Sequence, residues 1–355
     1  MSNPGATRDV RPEALGAFDR IIDVRSPGEF AEDHIPGAVN LPVLDNEERA
    51  RVGTTYVQES RFLARRLGAG LVAANIARHL ETALAQEGPG FRPLVYCWRG
   101  GQRSGAMALV LAQVGWRVMV LEGGYKTYRR AVQTRLYEEA CHHRFVLLEG
   151  GTGCAKTELL GRLAARGVQV LDLEKLAHHR GSLFGALADA PQPSQKSFES
   201  ALLHALDGMD VSRPVLVEAE SNKIGARTLP PAVWRAMQAA PAILVSAPIS
   251  ARAAYLAACY PDIIADGERL ERVLSRLEVY PGRRLLENWR GLAAEGAYVE
   301  LIRQVVELHY DPSYERQARR SERQRLARLD LEDLSDQSQS QAAGRIAEIL
   351  EGWRP

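Results

Sequence analysis

Pro93-Leu-Val-Tyr-Cys-Trp-Arg-Gly-Gly-Gln-Arg-Ser104 is the stretch on which the fold turns. An apolar run, Pro93 to Tyr96, delivers Cys97 to the end of a predicted strand, and Arg99, Gly100, Gly101 and Arg103 follow before a helix predicted to begin near Ser104. A strand, a nucleophile and an anion cradle stand in that order. Amides at a helix start point inward with dipoles that favour negative charge, and the two arginines add to that field. A thiol held there ionises readily. The plainer alternative is a cysteine buried in a turn as a small hydrophobe.

Working outward, Phe18 to Val24 reads as a short strand ending at Asp23, and Arg25 to Phe30 turns it into a short helix. His34-Ile-Pro-Gly-Ala-Val-Asn-Leu-Pro42 is extended, because its two prolines forbid a helix. Between residues 58 and 86, Phe62, Leu63, Leu67, Leu71, Ile76, Leu80 and Leu84 recur at helical spacing. A small-residue helix from Ala106 to Val114 and a strand from Gly115 to Leu121 come after the Cys97 loop. Strands alternating with helices imply a mainly parallel sheet covered on both faces.

The second half repeats the pattern with different loop chemistry. Phe145-Val-Leu-Leu148 is a strand, and Glu149-Gly-Gly-Thr-Gly-Cys-Ala-Lys-Thr157 runs from it into a helix. Against G-x-x-x-x-G-K-[ST], Gly150, Lys156 and Thr157 match, while Ala155 stands where the second glycine belongs. Gly150, Gly151 and Gly153 permit a nest of amides around Thr152 and Cys154, Lys156 brings a point charge to the phosphates, and Thr157 can ligate a magnesium ion. The Cβ of Ala155 crowds the phosphates, so the pattern predicts diphosphate binding rather than nucleotide hydrolysis. Asp172 ends a further strand, Pro214 to Ser221 is an apolar strand carrying Glu218 and Glu220, and Arg252 follows the strand Ala242 to Pro248 in the manner of a lid. The three carboxylates are candidate acid, base or metal-shell groups. Gln192 to Glu199, with Lys196 and Glu199 opening a helix, has no generic chemical reading.

Length and composition bound the answer. The 355 residues are too many for one ordinary core and predict two domains. A hydrophobic content of 46%, a charged content of 25% and a net charge of +1 describe an ordinary soluble chain, so any nucleic acid must be held by local basic patches. Four scattered cysteines fit a reducing cytoplasm better than a disulfide framework. The first ten residues have no apolar leader, and no apolar run is long enough to span a bilayer, so a protein neither exported nor membrane-bound is expected. Cys141 with His142 and His143 lacks a second ligand pair at zinc spacing. Six arginines between Arg316 and Arg328 predict a basic helix, solvated or facing RNA phosphates, before a polar connector (331–341) and a short terminal helix (342–353). The expected divisions are 1–135, a linker at 136–143, 144–315, and a basic helical extension at 316–355.

Asp23-Val-Arg-Ser-Pro-Gly-Glu-Phe30, His34 to Pro42, the Cys97 loop and Val120-Leu-Glu-Gly-Gly-Tyr125 occur in the order and spacing of a rhodanese domain, which the first part resembles. The resemblance implies a cysteine that carries sulfur or selenium, with Asp23 and Arg25 as buttresses. The C-x5-R spacing from Cys97 to Arg103 is one residue longer than in simple sulfurtransferases and is similar to that of cysteine phosphatases, whose loop encloses a phosphate. A rhodanese domain followed by a P-loop domain, with Q-P-S-Q-K-x-F-E, V-x-V-E-A-E-S-N-K-I-G and His309-Tyr-Asp-Pro-Ser-Tyr314, resembles the tRNA 2-selenouridine synthase family over nearly the whole chain. That resemblance implies conversion of wobble 2-thiouridine to 2-selenouridine with selenophosphate, through an S-geranyl intermediate made from geranyl diphosphate. It implies no tightly bound cofactor, with magnesium admissible at Thr157. The implied partners are tRNA and an enzyme supplying selenophosphate, the expected place is the cytoplasm, and the sequence leaves the oligomeric state open, a monomer included. Competing expectations are a sulfurtransferase or phosphatase with a nucleotide-sensing P-loop domain, and a non-catalytic tRNA-binding adaptor.

Overall fold

The computed structural model describes residues 3–179, 191–219, 221–261, 266–277, 282–312, 314, 316 and 323–354. It divides into two compact units, residues 1–140 with 193–207, and residues 141–192 with 208–355. The expected divisions are corrected here, because the segment 193–207 leaves the second stretch of sequence and joins the first unit.

The first unit is built on strands β1 (Gly5–Thr7), β2 (Arg20–Asp23), β3 (Val39–Asn40), β4 (Pro93–Tyr96) and β5 (Met119–Leu121). Their order is β1-β5-β4-β2-β3 and every pairing is parallel. The central strand β4 is buried along its whole length, as an apolar run between two covered faces requires. Helices α1 (Pro12–Leu15) and α2 (Pro27–Glu32) precede the pair α3 (Asn46–Gln58) and α4 (Arg61–Glu81). The Cys97 loop feeds α5 (Gln102–Val114), and α6 (Tyr125–Gln133) continues through a π turn, Thr134–Glu138, which occupies the start of the expected linker. Leu136 within that turn is buried, so this stretch is packed structure rather than connector.

The second sheet comprises β6 (Arg144–Glu149), β7 (Gln169–Leu171), β8 (Pro214–Glu218), β11 (Ala242–Ser246) and β12 (Arg325–Asp330), in the order β12-β11-β6-β8-β7. All four pairings are parallel. A hairpin of β9 (Lys223–Ile224) and β10 (Arg227–Thr228) stands apart. The surrounding helices are α7 (Lys156–Ala165), α8 (Leu173–Leu176), α10 (Pro231–Ala239), α11 (Ile249–Cys259), α12 (Gly267–Arg276), α13 (Arg283–Ala294) and α14 (Tyr298–Val305), and α9 (Gln195–Asp207) belongs to the first unit.

The C-terminal expectation fails at two places. Arg325–Asp330 is an edge strand with Leu329 5% exposed, because Leu326, Ala327 and Leu329 supply the apolar contacts that the surrounding arginines disguise in the sequence. From Asp336 on, the expected connector is helix: α15 (Asp336–Gly352) is capped by Ser335, whose Oγ accepts from the Ser338 amide at 3.3 Å. Its face of Ala342, Ala343, Ile346 and Leu350 closes the second core against Val146, Leu148 and Ile243. Of the six arginines, Arg323 reaches Glu149 at 3.2 Å and Arg328 pairs with Asp330 at 2.8 Å, whereas residues 317–322 lie outside the described part. Among the described residues no helix is long and apolar enough to cross a membrane.

Candidate functional site

Cys97 sits at the end of β4 and is only 3% exposed. Its Sγ accepts a hydrogen bond from the Gly101 amide at 3.3 Å and one from Ser104 Oγ at 3.2 Å. Burial by itself pushes this thiol up, but the Ser104 hydroxyl and the amides of Ser104, Arg99 and Gly101 outweigh it and hold the group below the ordinary thiol range. The loop therefore stabilises thiolate with neutral donors. Arg103, expected in the cradle, turns instead to Glu29, which it meets at 2.8 Å and which Arg49 also meets at 2.9 Å. Burial raises the Glu29 carboxyl, but these two cations win and hold it below the usual carboxylate range. Arg99 is exposed. With Arg103 spoken for, a phosphatase-like cradle closed by that arginine is absent from this loop.

The loop's shape is fixed by close backbone contact. Gly124 has φ +59°, and a Cβ there would lie 2.1 Å from the Cys97 carbonyl. Only glycine fits that approach. The Tyr125 amide then donates to the Cys97 carbonyl at 2.8 Å, and the Trp98 ring stacks on Tyr125 at 5.3 Å. Beneath lies the buttress the rhodanese resemblance implies. Arg25, 1% exposed, donates to both Asp23 oxygens at 2.6–3.0 Å and to the Asp33 carbonyl at 2.7 Å, with the Tyr125 ring 4.1 Å from its guanidinium carbon. The carboxylate of Asp33 accepts from Tyr125 Oη at 2.6 Å and from Ser200 Oγ at 3.1 Å. Burial is the main influence on Asp33 and carries it above the usual carboxylate value, against those hydrogen bonds.

Ser200 comes from α9, so the segment without a chemical reading in the sequence has a structural one. Phe198 and Leu202 are fully buried, and Glu199, 1% exposed, accepts from Arg129, from Tyr137 Oη at 2.7 Å and from Gln195 at 2.9 Å. A carboxylate taken out of water demands such partners. Lys196 reaches Glu32 at 2.6 Å. The buried apolar i, i+4 spacing of Phe198, Leu202 and Leu206 was readable; what it packs against was not.

The second site lies where β6 meets α7. The Lys156 Nζ donates to the Gly150 carbonyl at 2.8 Å and lies 3.3 Å from Glu218, which is 5% exposed. Gly150 is needed because a Cβ there would meet the Val245 carbonyl at 2.7 Å. Ala155, 4% exposed, takes the left-handed conformation (φ 55°, ψ 30°) that the glycine of the consensus would take. For alanine this costs about 1–2 kcal/mol. The nest thus keeps its backbone shape under strain. Burial pushes the Cys154 thiol up, against Lys156 and Arg252, so it is a wall rather than a nucleophile.

A cavity of about 470 Å³ opens over this loop. Its lining mixes polar groups, Thr152, Lys156, Thr157, Glu174 and Glu218, with aromatic and aliphatic ones, Tyr255, Leu256, Tyr260 and Tyr310. The sequence shows Glu174 only as the carboxylate that follows Asp172 near a sheet end and gives no sign of the tyrosines; the folded chain brings both to the cavity of Lys156. Asp172 is corrected: its side chain caps α8 by accepting from the Lys175 amide at 2.8 Å, and Glu174 lines the cavity instead. Arg252 is corrected as well. It is 8% exposed, holds both oxygens of Asp311 at 2.7–2.9 Å and donates to the Thr152 carbonyl at 3.2 Å, so it braces the phosphate loop rather than swinging over it. Tyr314 is pushed up to about 12 by burial and by Glu149. Glu220 lies outside the described residues. Among the described residues no three His, Cys, Asp or Glu side chains converge as a protein metal cage. Thr157 and Glu218 are of the hard oxygen type that suits magnesium bound together with phosphates.

Residues 11–131 match the family described as rhodanese-like domain, and residues 143–273 match the family described as tRNA 2-selenouridine synthase AAA domain. A protein of Nitrosomonas europaea named tRNA 2-selenouridine synthase is 37% identical over 256 residues, 71% of this chain and 66% of that protein. One of the same name from Chromohalobacter salexigens is 37% identical over 258 residues, 72% of this chain and 69% of that protein. Another, from Shewanella denitrificans, is 32% identical over 340 residues, 87% of this chain and 91% of that protein. Over several relatives the match spans slightly under two thirds of their length, as the 66% for Nitrosomonas europaea and 61% for Hahella chejuensis show.

Proposed function

The chain belongs to the tRNA 2-selenouridine synthase family, and we propose that it converts 2-thiouridine at the tRNA wobble position to 2-selenouridine in two steps, one at each loop. In the first, the 2-thio sulfur attacks C1 of geranyl diphosphate, the C1–O bond breaks, and diphosphate leaves with the electron pair while N3 loses its proton. Lys156 and the amides of residues 150–155 receive the departing charge, and magnesium at Thr157 and Glu218 would share it. The observation that carries this reading is the mixed polar and apolar lining of that cavity. The phosphate nest shares its cavity with Tyr255, Leu256, Tyr260 and Tyr310, a lining that suits a diphosphate bearing a hydrocarbon tail.

In the second step the selenium of selenophosphate attacks C2, and the C2–S bond breaks. Geranylthiol departs with that electron pair and a proton. Water then cleaves the Se–P bond, leaving 2-selenouridine and phosphate. Cys97 serves this step, since its loop holds the thiol toward thiolate and offers amides to an anion. The partners are the thiolated tRNA and the source of selenophosphate, and the place of work is where tRNA is found, the cytoplasm.

Mass spectrometry of 2-thiouridine tRNA incubated with the protein, geranyl diphosphate and then selenophosphate tests the scheme. Lys156→Ala should abolish the geranyl adduct. Cys97→Ser should leave the adduct and block selenium entry. Equal loss of both steps in both variants refutes the division of labour, and absence of both products with the unaltered protein refutes the function.

A further inference from the structure

Helices α3 and α4 pack side by side yet leave a hole. A cavity of about 880 Å³ lies between them and the first turns of α5. This is within the range of roughly 300–1,000 Å³ typical of small-molecule sites. Its lining is mostly carbon, including Leu44, Val52, Val57 and Val72. Tyr56 and Val57 remain 46% and 83% exposed at its edge, an apolar surface with nothing over it among the described residues of the first unit.

Two helix-interior glycines keep the space open. A Cβ on Gly53 of α3 would meet nothing within 4 Å, and one on Gly68 of α4 would meet only Val52, at 3.5 Å and beyond. Glycine weakens a helix interior, so positions that tolerate a side chain sterically and lack one leave volume to something else.

The cavity adjoins the Cys97 loop through α5. Gln102, Arg103 and Ala106 form its wall, while Ser104 of the same turn donates to Cys97 Sγ at 3.2 Å. Ala106 and Val72 also pack on the buried cluster that contains Cys97. At its rim Arg49 and Arg103 share the Glu29 carboxylate, and Arg65 is exposed. A hydrocarbon chain with a sulfur-bearing head, the head toward the first turn of α5 that carries Ser104, matches this arrangement.

We propose that this cavity receives the isoprenoid chain of the S-geranyl base during the selenium step, so that geranylthiol departs into it. The proposal rests on the two-step reading above and adds a second site for the chain, distinct from the one over the phosphate loop.

Gly53→Leu tests it, because the new side chain enters open space on a helix that gains by losing a glycine. The thermal midpoint should stay level or rise. Calorimetric affinity for the nucleoside S-geranyl-2-thiouridine should fall roughly tenfold or more. The turnover ratio of S-geranyl to S-methyl-2-thiouridine tRNA should fall by a similar factor. Ala69→Phe, on an exposed lining residue, should give the same ratio if Gly53→Leu fails to fold. If the unaltered protein makes and consumes the geranyl adduct and both variants match it, the cavity assignment is overturned and the two-step reading stands. If the S-methyl substrate loses as much as the S-geranyl one, the assignment is likewise overturned. If the unaltered protein neither forms the adduct nor binds the nucleoside, the two-step reading falls and takes the proposal with it.

Discussion

Ser104→Ala isolates the hydrogen bond that sets the reactivity of Cys97. Ser104 is fully buried and its hydroxyl is 3.2 Å from the sulfur, so no water replaces it when the oxygen is removed. Alanine leaves the helix start and the backbone donors in place. A hydrogen bond to a charged group is worth about 1.5–3 kcal/mol. The neutral thiol also uses part of that bond, so the low end applies, which corresponds to about a tenfold smaller thiolate fraction at a pH below the titration midpoint. The sign follows from the balance at this site. Burial favours the neutral thiol and the donors favour thiolate, so losing the strongest donor moves the midpoint up. The assay is the second-order rate of iodoacetamide labelling at Cys97 against pH, read peptide by peptide so that the exposed Cys259 serves as an internal reference. Arg103→Ala is the control, because Arg103 faces Glu29 and its loss should leave the Cys97 midpoint nearly in place. An unchanged midpoint in Ser104→Ala, or an equal shift in Arg103→Ala, would refute the claim that neutral donors hold the thiolate.

Two further outcomes follow from buried charges. Asp311→Ala strands the guanidinium of Arg252, whose side chain is 10% exposed, and should destabilise the second unit by about 2–3 kcal/mol, less than a fully buried pair because the Asp311 side chain keeps 27% exposure. Scanning calorimetry should show this as a fall of about 5–10 °C in that unit's transition, and a change under 1 °C would contradict the bracing role. Asp33 has its carboxyl raised in the fold, so its contribution to stability is fully present below the unfolded carboxylate pKa and is lost as pH rises through the folded value. Asp33→Asn should therefore flatten this part of the pH profile of first-unit stability, measured by urea melts from the acid range upward. A profile parallel to that of the parent would show that Asp33 does not titrate as argued.

Strand, loop and helix at Cys97 and at Lys156 were legible from the residues, because each depends on a short apolar run followed by glycines at fixed offsets. Ala155 shows how far such reading goes. The departure from the consensus was visible, but that alanine accepts the left-handed conformation is known only from the folded loop. The C-terminal arginines misled because side-chain charge says little about a backbone that pairs through its amides. Arg325–Asp330 becomes a strand because β11 offers an open edge, and that edge exists only after the sheet has formed.

What the sequence determined by itself, then, was local: two nucleophile-or-phosphate loops, each at the end of a strand of a parallel sheet, with the residue types their chemistry needs. Tertiary structure decided everything that depends on partners distant in the chain. It bound Arg103 to Glu29 and Arg252 to Asp311, brought Glu174 and three tyrosines to Lys156, and drew α9 across to seat Ser200 against Asp33. The physical reason is that a charged side chain is committed by whichever counter-charge or carbonyl reaches it at low solvent exposure, and that choice is made by packing rather than by spacing.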